Sequence, residues 1–369
     1  MNRVDEIDTD REQCWLWLCS IPGLYSRQLR MLTEYFGSPR AVYEAPDKEF
    51  GAWKEKNVKW IQRLLDFKKR CSPEEVCHRA TERGIEFRSC EHPDFPGRLK
   101  EISDCPAGLF YLGELPCPDV PAVAVVGARE CSDYGKIMAV EISEGLANAG
   151  VQVISGLALG IDGYAQRAAL AAEGKSYGVL GCGADVCYPW ENRRLYLDVQ
   201  RQGGIISEFP QGTRPLSYHF PMRNRIISGL CDAVVVVEAR ENSGSLITAD
   251  LALEQGRDVY AVPGRIQDAL SSGCNRLIAQ GAGIVLSPEH LLEELYLQNP
   301  KQKIIKKNQL TLAPEEKRVY SNLDLSPKGP EEIAAKSELP VEKIGGILLN
   351  LILKGLAEES SKNHYIRVK

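Results

Sequence analysis

Near the start of the chain, apolar residues recur at helical spacing through Cys14, Trp15, Leu18, Leu29, Leu32 and Tyr35. That period predicts amphipathic helices, so residues 1–85 are read as a helical N-terminal domain. From 86 to 120 the pattern breaks. Pro93, Pro96, Pro106, Pro116 and Pro118 punctuate short extended pieces such as GLFYLGEL. From 121 onward, short apolar runs alternate with longer helical stretches. The runs are Ala122–Val126, Val151–Ile154, Tyr177–Leu180, Ile205–Ser207, Ala233–Val237, Asp258–Val262 and Gly283–Leu286. Most are apolar throughout rather than alternating, as parallel strands covered on both faces are. The stretches between most of them are long enough for crossover helices. The pattern predicts a Rossmann-like, doubly wound α/β domain with a mostly parallel sheet. With its proline-rich lead-in it spans 86–297.

Two flanking segments carry weaker signals. Residues 298–310, QNPKQKIIKKNQL, are polar and lysine-rich and read as a linker. Residues 311–369 show helical spacing in three stretches. A strand pair follows around Leu356–Glu358 and Tyr365–Val368, which predicts a small winged helix. In the N-terminal domain, residues 21–45 have a Pro-Gly turn, a helix, Gly37 and Pro39, then a shorter helix. This order resembles a helix-hairpin-helix, SAM-like arrangement, which can aim backbone N–H groups at a phosphate. Its few basic residues favour a plain packing turn instead.

Composition excludes little. The chain has 369 residues and a formal net charge of −5, so any basic surface must be local. The 12 cysteines include no CxxC pair, and no zinc-ligand spacing occurs. They read as free thiols of a reducing compartment, with no metal and no cofactor. No apolar run reaches the ~18 residues of a membrane span, and the first residues are polar and acidic. A cytoplasmic protein is expected.

Candidate chemistry lies after the strands, because open α/β sheets bind ligands at the strands' carboxyl ends. After the first run come Gly127, Ala128 and Arg129; after the second, Ser155 and Gly156; after the third, Gly181 and Gly183. Three glycine turns suggest a concave phosphate site, although each alone reads as a tight strand-to-helix turn. The Arg223-Asn224-Arg225 segment is expected at a helix start, where dipole and charge add. The competing reading pairs Arg223 and Arg225 with internal carboxylates such as Glu208 and Glu238, one arginine going each way. Ser243 and Gly244 open another helix, and Arg193 extends the basic track. Tyr134, Tyr188, Tyr218 and Phe220 are candidate stacking platforms, with Phe220 favoured as core. None of the turns completes GxGxxG, and the P-loop-like Gly174-Lys175-Ser176 has Ala169 where the first glycine is required. Asp162, Glu208 and Glu238 are the carboxylates nearest the strand ends, read as caps or ion-pair partners rather than as bases.

Taken together, GARECSDYG, SGLALGIDGYA, GCGADVCYPWENRRL, SEFPQGTRPLSYHFPMRNRIISGL, VVVEARENSGSLITADLALEQGRDVYAVPG and SSGCNRLIAQGA resemble the DprA/Smf family of bacterial DNA-processing proteins. They occur in that family's order. The resemblance implies single-stranded DNA binding, homodimerisation and delivery of the strand to the RecA recombinase in natural transformation. It implies no enzyme. It maps a phosphate pocket onto Gly127, Ala128, Arg129, Arg223, Asn224 and Arg225, with alanine at 128 where the family often has a hydroxyl. The segment from Cys274 to Val285, with Leu277, Ile278 and Val285, is the candidate dimer surface. The alternative is an N-glycosidic nucleotide hydrolase; those relatives carry a PGGxGT segment where this chain has SGSLITA.

Overall fold

The computed structural model describes residues 3–51, 53, 59–295, 312–324, 326–361 and 363–368. The predicted linker, 298–310, lies outside them. The chain divides into two compact units, Met1–Gln298 and Asn299–Lys369.

The first unit begins with helices Arg3–Cys19, Ser26–Phe36, Pro39–Glu44, Lys59–Arg70 and Pro73–Glu82. Their apolar stripes meet in a core around Trp17, Leu18, Ile21, Leu32, Phe50 and Ile61. The Pro-Gly turn between the first two helices is a packing turn. Its neighbours Ile21 and Leu24 are buried, and the next helix starts at a buried Ser26. Ser26 turns inward: its hydroxyl donates to Glu208 and accepts from the Ala107 N–H. That start is therefore closed to a phosphate.

A nine-stranded sheet follows, in the order β1-β2-β6-β5-β4-β3-β7-β8-β9. The strands are β1 (Glu86–Ser89), β2 (Gly108–Gly113), β3 (Ala122–Val126), β4 (Gln152–Ser155), β5 (Ser176–Leu180), β6 (Gly204–Ser207), β7 (Ala233–Val236), β8 (Asp258–Ala261) and β9 (Gly283–Ile284). All seven apolar runs become parallel strands. In β3 to β7 every residue is buried, which is why these runs do not alternate. The extended piece GLFYLGEL becomes β2, and the segment adds what the sequence did not predict: its antiparallel pairing with β1 and β6 at one edge of the main sheet. Strand order reverses at β3, with β4 on one side and β7 on the other. The crevice beyond that reversal is where open α/β sheets take ligands.

The second unit has three helices, Pro314–Asn322, Pro330–Ser337 and Val341–Leu353, and a hairpin of Ala357–Ser361 with His364–Arg367. This is the winged helix. Val319, Ile333, Ile344, Leu348 and Leu351 give it a core of its own. Both lysines of its third helix are engaged within the unit. Lys343 pairs with Glu315 at 2.9 Å, and Lys354 with Glu316 at 2.6 and 2.8 Å. Val341, Leu349 and Leu353 on the same helix are exposed. With no unpaired cation on that helix, the isolated 311–369 fragment is expected to hold a duplex no tighter than ~10⁻⁴ M, the weak end of non-specific binding. Micromolar binding in an anisotropy titration would contradict this.

Candidate nucleic-acid interface

A cavity of about 560 Å³ opens at the switch point. Each wall comes from a different strand end. Gly127 and Arg129 follow β3, Ala158 and Asp162 follow β4, Tyr188 follows β5, and Ser243 to Thr248 follow β7. Phe220, Arg223 and Asn224 come from the helix His219–Gly229, which precedes β7.

Arg223 is the centre of the site. Its side chain is buried, and its Nη1 donates to the carbonyl of Gly156 at 2.9 Å and to that of Val179. Its Nε donates to Asn224 Oδ1, and Asn224 Nδ2 donates to the Gly244 carbonyl. Asp162 is its charge partner; the Asp162 carboxylate also accepts from the Gly156 N–H at 3.0 Å. Gly156 is needed here. A Cβ on it would lie 2.7 Å from Asp162 Oδ2 and 2.8 Å from both Arg223 terminal nitrogens.

The pair does not balance. Burial pushes the Asp162 carboxyl up, although Arg223 and backbone N–H groups pull it back. Burial also lowers Arg223 to about 10, only partly opposed by Asp162, while nearby Arg129 lowers it further. Both ions are therefore costly as they stand. An anion placed against Arg223 would relieve the cation. Arg129 is exposed and enters no ion pair among the described residues. It stands 5.4 Å from the centre of the Phe220 ring, with Arg223 5.9 Å from the same ring. Tyr188 packs against Phe220 at 5.6 Å between ring centres. The helix Gly244–Glu254 opens onto the cavity with Ser243 as its cap, and the space beside Gly244 is empty. Two cations, a helix N-terminus and an aromatic face thus converge on one cavity, the kinds of group that phosphate sites are built from.

Six predicted residues meet here: Gly127, Arg129, Arg223, Asn224, Ser243 and Gly244. Five do not line the cavity. Arg225 points away because two residues along a helix turn it by ~200°. It is 8% exposed and grips Glu208 at 2.6 and 2.7 Å and Asp104 at 2.9 Å. Its phosphate role is withdrawn. Ser155 is fully buried and ties β4 to β3 through the Val125 carbonyl. Ala128 is buried, its carbonyl accepting from Ile161 N–H. Gly156 holds Arg223 in place rather than facing the cavity. Arg193 lies outside, exposed and stacked on Trp190.

Other expectations change too. The helix carrying Arg223 begins at His219, so the arginines sit in its second turn rather than at its start. Phe220 is half-buried and lines the cavity, so it is not core. Tyr134 is tied to the Pro263 carbonyl, and Tyr218 faces a different cleft. Glu238 meets Ser132 at a helix N-terminus and pairs with no arginine. Leu277 and Val285 are 5% exposed and point into the core, which leaves Ile278, half-buried, as the one of the three with accessible surface. Ile284 and Leu286 beside them are exposed. Ser217 and Thr248 were missed. Thr248 was readable, three residues after Ser245 on one helix face; Ser217 carried no local signal.

Among the described residues, no three His, Cys, Asp or Glu side chains are grouped to hold a metal ion. No described helix is long and apolar enough to cross a membrane.

Residues 86–296 match the family model of DNA recombination-mediator protein A, and 306–361 that of the DprA winged helix domain. The chain is 48% identical over 200 residues to the DNA processing protein DprA of Streptococcus pneumoniae, covering 54% of this chain and 71% of that protein. It is 35% identical to protein Smf of Escherichia coli over 95% of this chain and 93% of the other. The X-ray structure of the S. pneumoniae protein superposes with a TM-score of 0.67 at 36% identity, covering 76% of this chain and 97% of that one. The Helicobacter pylori protein, described for its single-stranded DNA binding mode, gives 0.53 at 27% identity over 58% and 97%. With both family models matched and 35% identity to protein Smf along nearly the whole length, this chain belongs to the DprA/Smf family of DNA recombination-mediator proteins.

Proposed function

We propose that this chain is a non-catalytic single-stranded DNA-binding protein that shields the strand and loads RecA recombinase onto it in the cytoplasm, as in natural transformation. One observation carries the reading: Arg223 is buried and under-compensated beside an unpaired Arg129, in a cavity at the sheet's switch point. A phosphodiester supplies the missing charge. Gly127, Asn224, Ser243 and Gly244 contribute the remaining surface. Asp162, Glu208 and Glu238 are engaged by backbone, arginine or serine groups, which supports binding over nucleotide hydrolysis.

The test is anisotropy with a labelled oligothymidylate across a salt series. Affinity is expected to fall linearly in log–log form, by about 0.7 for each phosphate neutralised. Turnover of nucleotides that depends on Asp162 would overturn the non-catalytic reading. RecA loading is checked by the rate of RecA filament growth on strands covered by single-strand-binding protein; no acceleration would remove that part. A homodimer through the Cys274–Val285 segment, whose Ile284 is exposed, is part of the proposal. Light scattering giving the mass of one chain at micromolar concentration would remove it.

A further inference from the structure

A second cavity, of about 410 Å³, lies between the N-terminal helices and the loop after β6. The segment 215–220 forms its partition from the first cavity. Pro215, Ser217 and Phe220 face the first; Leu216, Tyr218 and His219 face the second. The two spaces therefore share one thickness of chain. The second is walled by aromatic rings. His219 stacks on Phe209 at 4.1 Å between ring centres, and Tyr25 stands edge-on to both at 6.4 Å. Tyr218 packs against His219 at 4.6 Å yet stays 54% exposed. Leu216 beside it is also exposed.

Two polar features of this cleft are unspent. Gln211 Oε1 is buried and has no hydrogen-bond partner among the described residues. Arg79 at the rim is exposed and enters no ion pair among the described residues; its Nε donates only to the Glu75 carbonyl. The carboxylate in the cleft, Glu208, is consumed by Arg225 and Ser26. The cleft thus offers a flat exposed ring, an amide acceptor lacking an N–H donor, and a cation at the rim. A nucleobase has a π-face and N–H groups, and its phosphate would sit at the rim.

We propose that this cleft is a second nucleotide subsite, which takes a base of the same strand whose phosphate occupies the first cavity. Tyr218 is the stacking platform, Gln211 meets a base N–H, and Arg79 meets the neighbouring phosphate. The inference rests on the single-strand reading above. It adds that the N-terminal helices are part of the DNA footprint.

The experiment uses the full chain with oligothymidylates of increasing length, comparing wild type, Tyr218→Ala, Tyr218→Phe, Gln211→Leu and Arg223→Ala. Tyr218→Ala is expected to lose about tenfold in affinity for the longer strands, the size of one lost stack. It should leave the shortest strand that binds, and the slope against salt, unchanged. Tyr218→Phe should restore binding because it keeps the ring. Gln211→Leu should weaken the longer strands by a smaller factor. Arg223→Ala should lower both affinity and salt slope at every length. Tyr218 also packs on His219, so the melting temperature of Tyr218→Ala and the rescue by Tyr218→Phe separate a lost stack from a disturbed fold. Wild-type affinity for long strands in both Tyr218→Ala and Gln211→Leu, with Arg223→Ala still impaired, would overturn the second subsite and leave the function standing. No strand binding by the wild type at any length would overturn both.

Discussion

Arg225→Ala is expected to destabilise the first unit by about 3–5 kcal/mol, the cost of breaking a buried ion pair from one side. Arg225 and Glu208 are 8% and 9% exposed, and the guanidinium grips both carboxylate oxygens. Removing the arginine leaves Glu208 charged and 9% exposed at the wall of the second cavity, with only the Ser26 hydroxyl to bond it. The loss spreads, because this network joins three parts of the unit. Ser26 starts an N-terminal helix, Glu208 follows β6, and Asp104 precedes β2 and binds both Arg225 and Arg30. At roughly 2–4 °C per kcal/mol for a domain of 150–250 residues, the melting temperature should drop by about 6–20 °C. A melt within a degree of wild type would show that the pair contributes nothing. Arg225 does not line the cavity, so strand affinity at a temperature where the variant is folded should stay near wild type.

Arg129→Ala gives the opposite pattern. The side chain is exposed, so stability should hardly change. If it meets a phosphate, its loss removes a charge-assisted hydrogen bond of about 1.5–3 kcal/mol, or about 10–150-fold in affinity. The salt slope should fall by about 0.7. Arg223→Ala should lower both affinity and stability, because it also strips Asp162 of its partner and frees the Gly156 and Val179 carbonyls. Arg223→Lys is expected to rescue little, since an ammonium cannot span two carbonyls and a ligand as the planar fork does. Unchanged strand affinity in both Arg129→Ala and Arg223→Ala would remove the cavity from the DNA-binding site. The two arginines of one short segment thus separate, one reporting on the fold and the other on both fold and binding.

Much of the fold was legible because it is written locally. A strand covered on both faces is largely apolar along its length, and the runs that become β3 to β7 say so without reference to anything distant. β1, and the place of β2 in the main sheet, were not legible. Their segment is cut by prolines, and only pairing with β6 makes β2 a strand of the main sheet. The burial of Leu277 was not legible for a related reason. Leu277 lies on an amphipathic helix, and which side meets the sheet depends on how that helix docks.

For the site, the sequence by itself determined the materials. Glycine turns, arginines and hydroxyls stand after the strands, in an order that marks the family. Tertiary structure alone decided which arginine faces the cavity. Arg223 and Arg225 are neighbours in sequence, but the helix turns them to opposite sides. One meets Asp162, 61 positions before it, and the other meets Asp104, 121 positions before it. No local pattern records such distant partners. Burial then sets their surroundings: two carboxylates face Arg225, while Arg223 has one carboxylate, Asp162, and an opening onto the cavity.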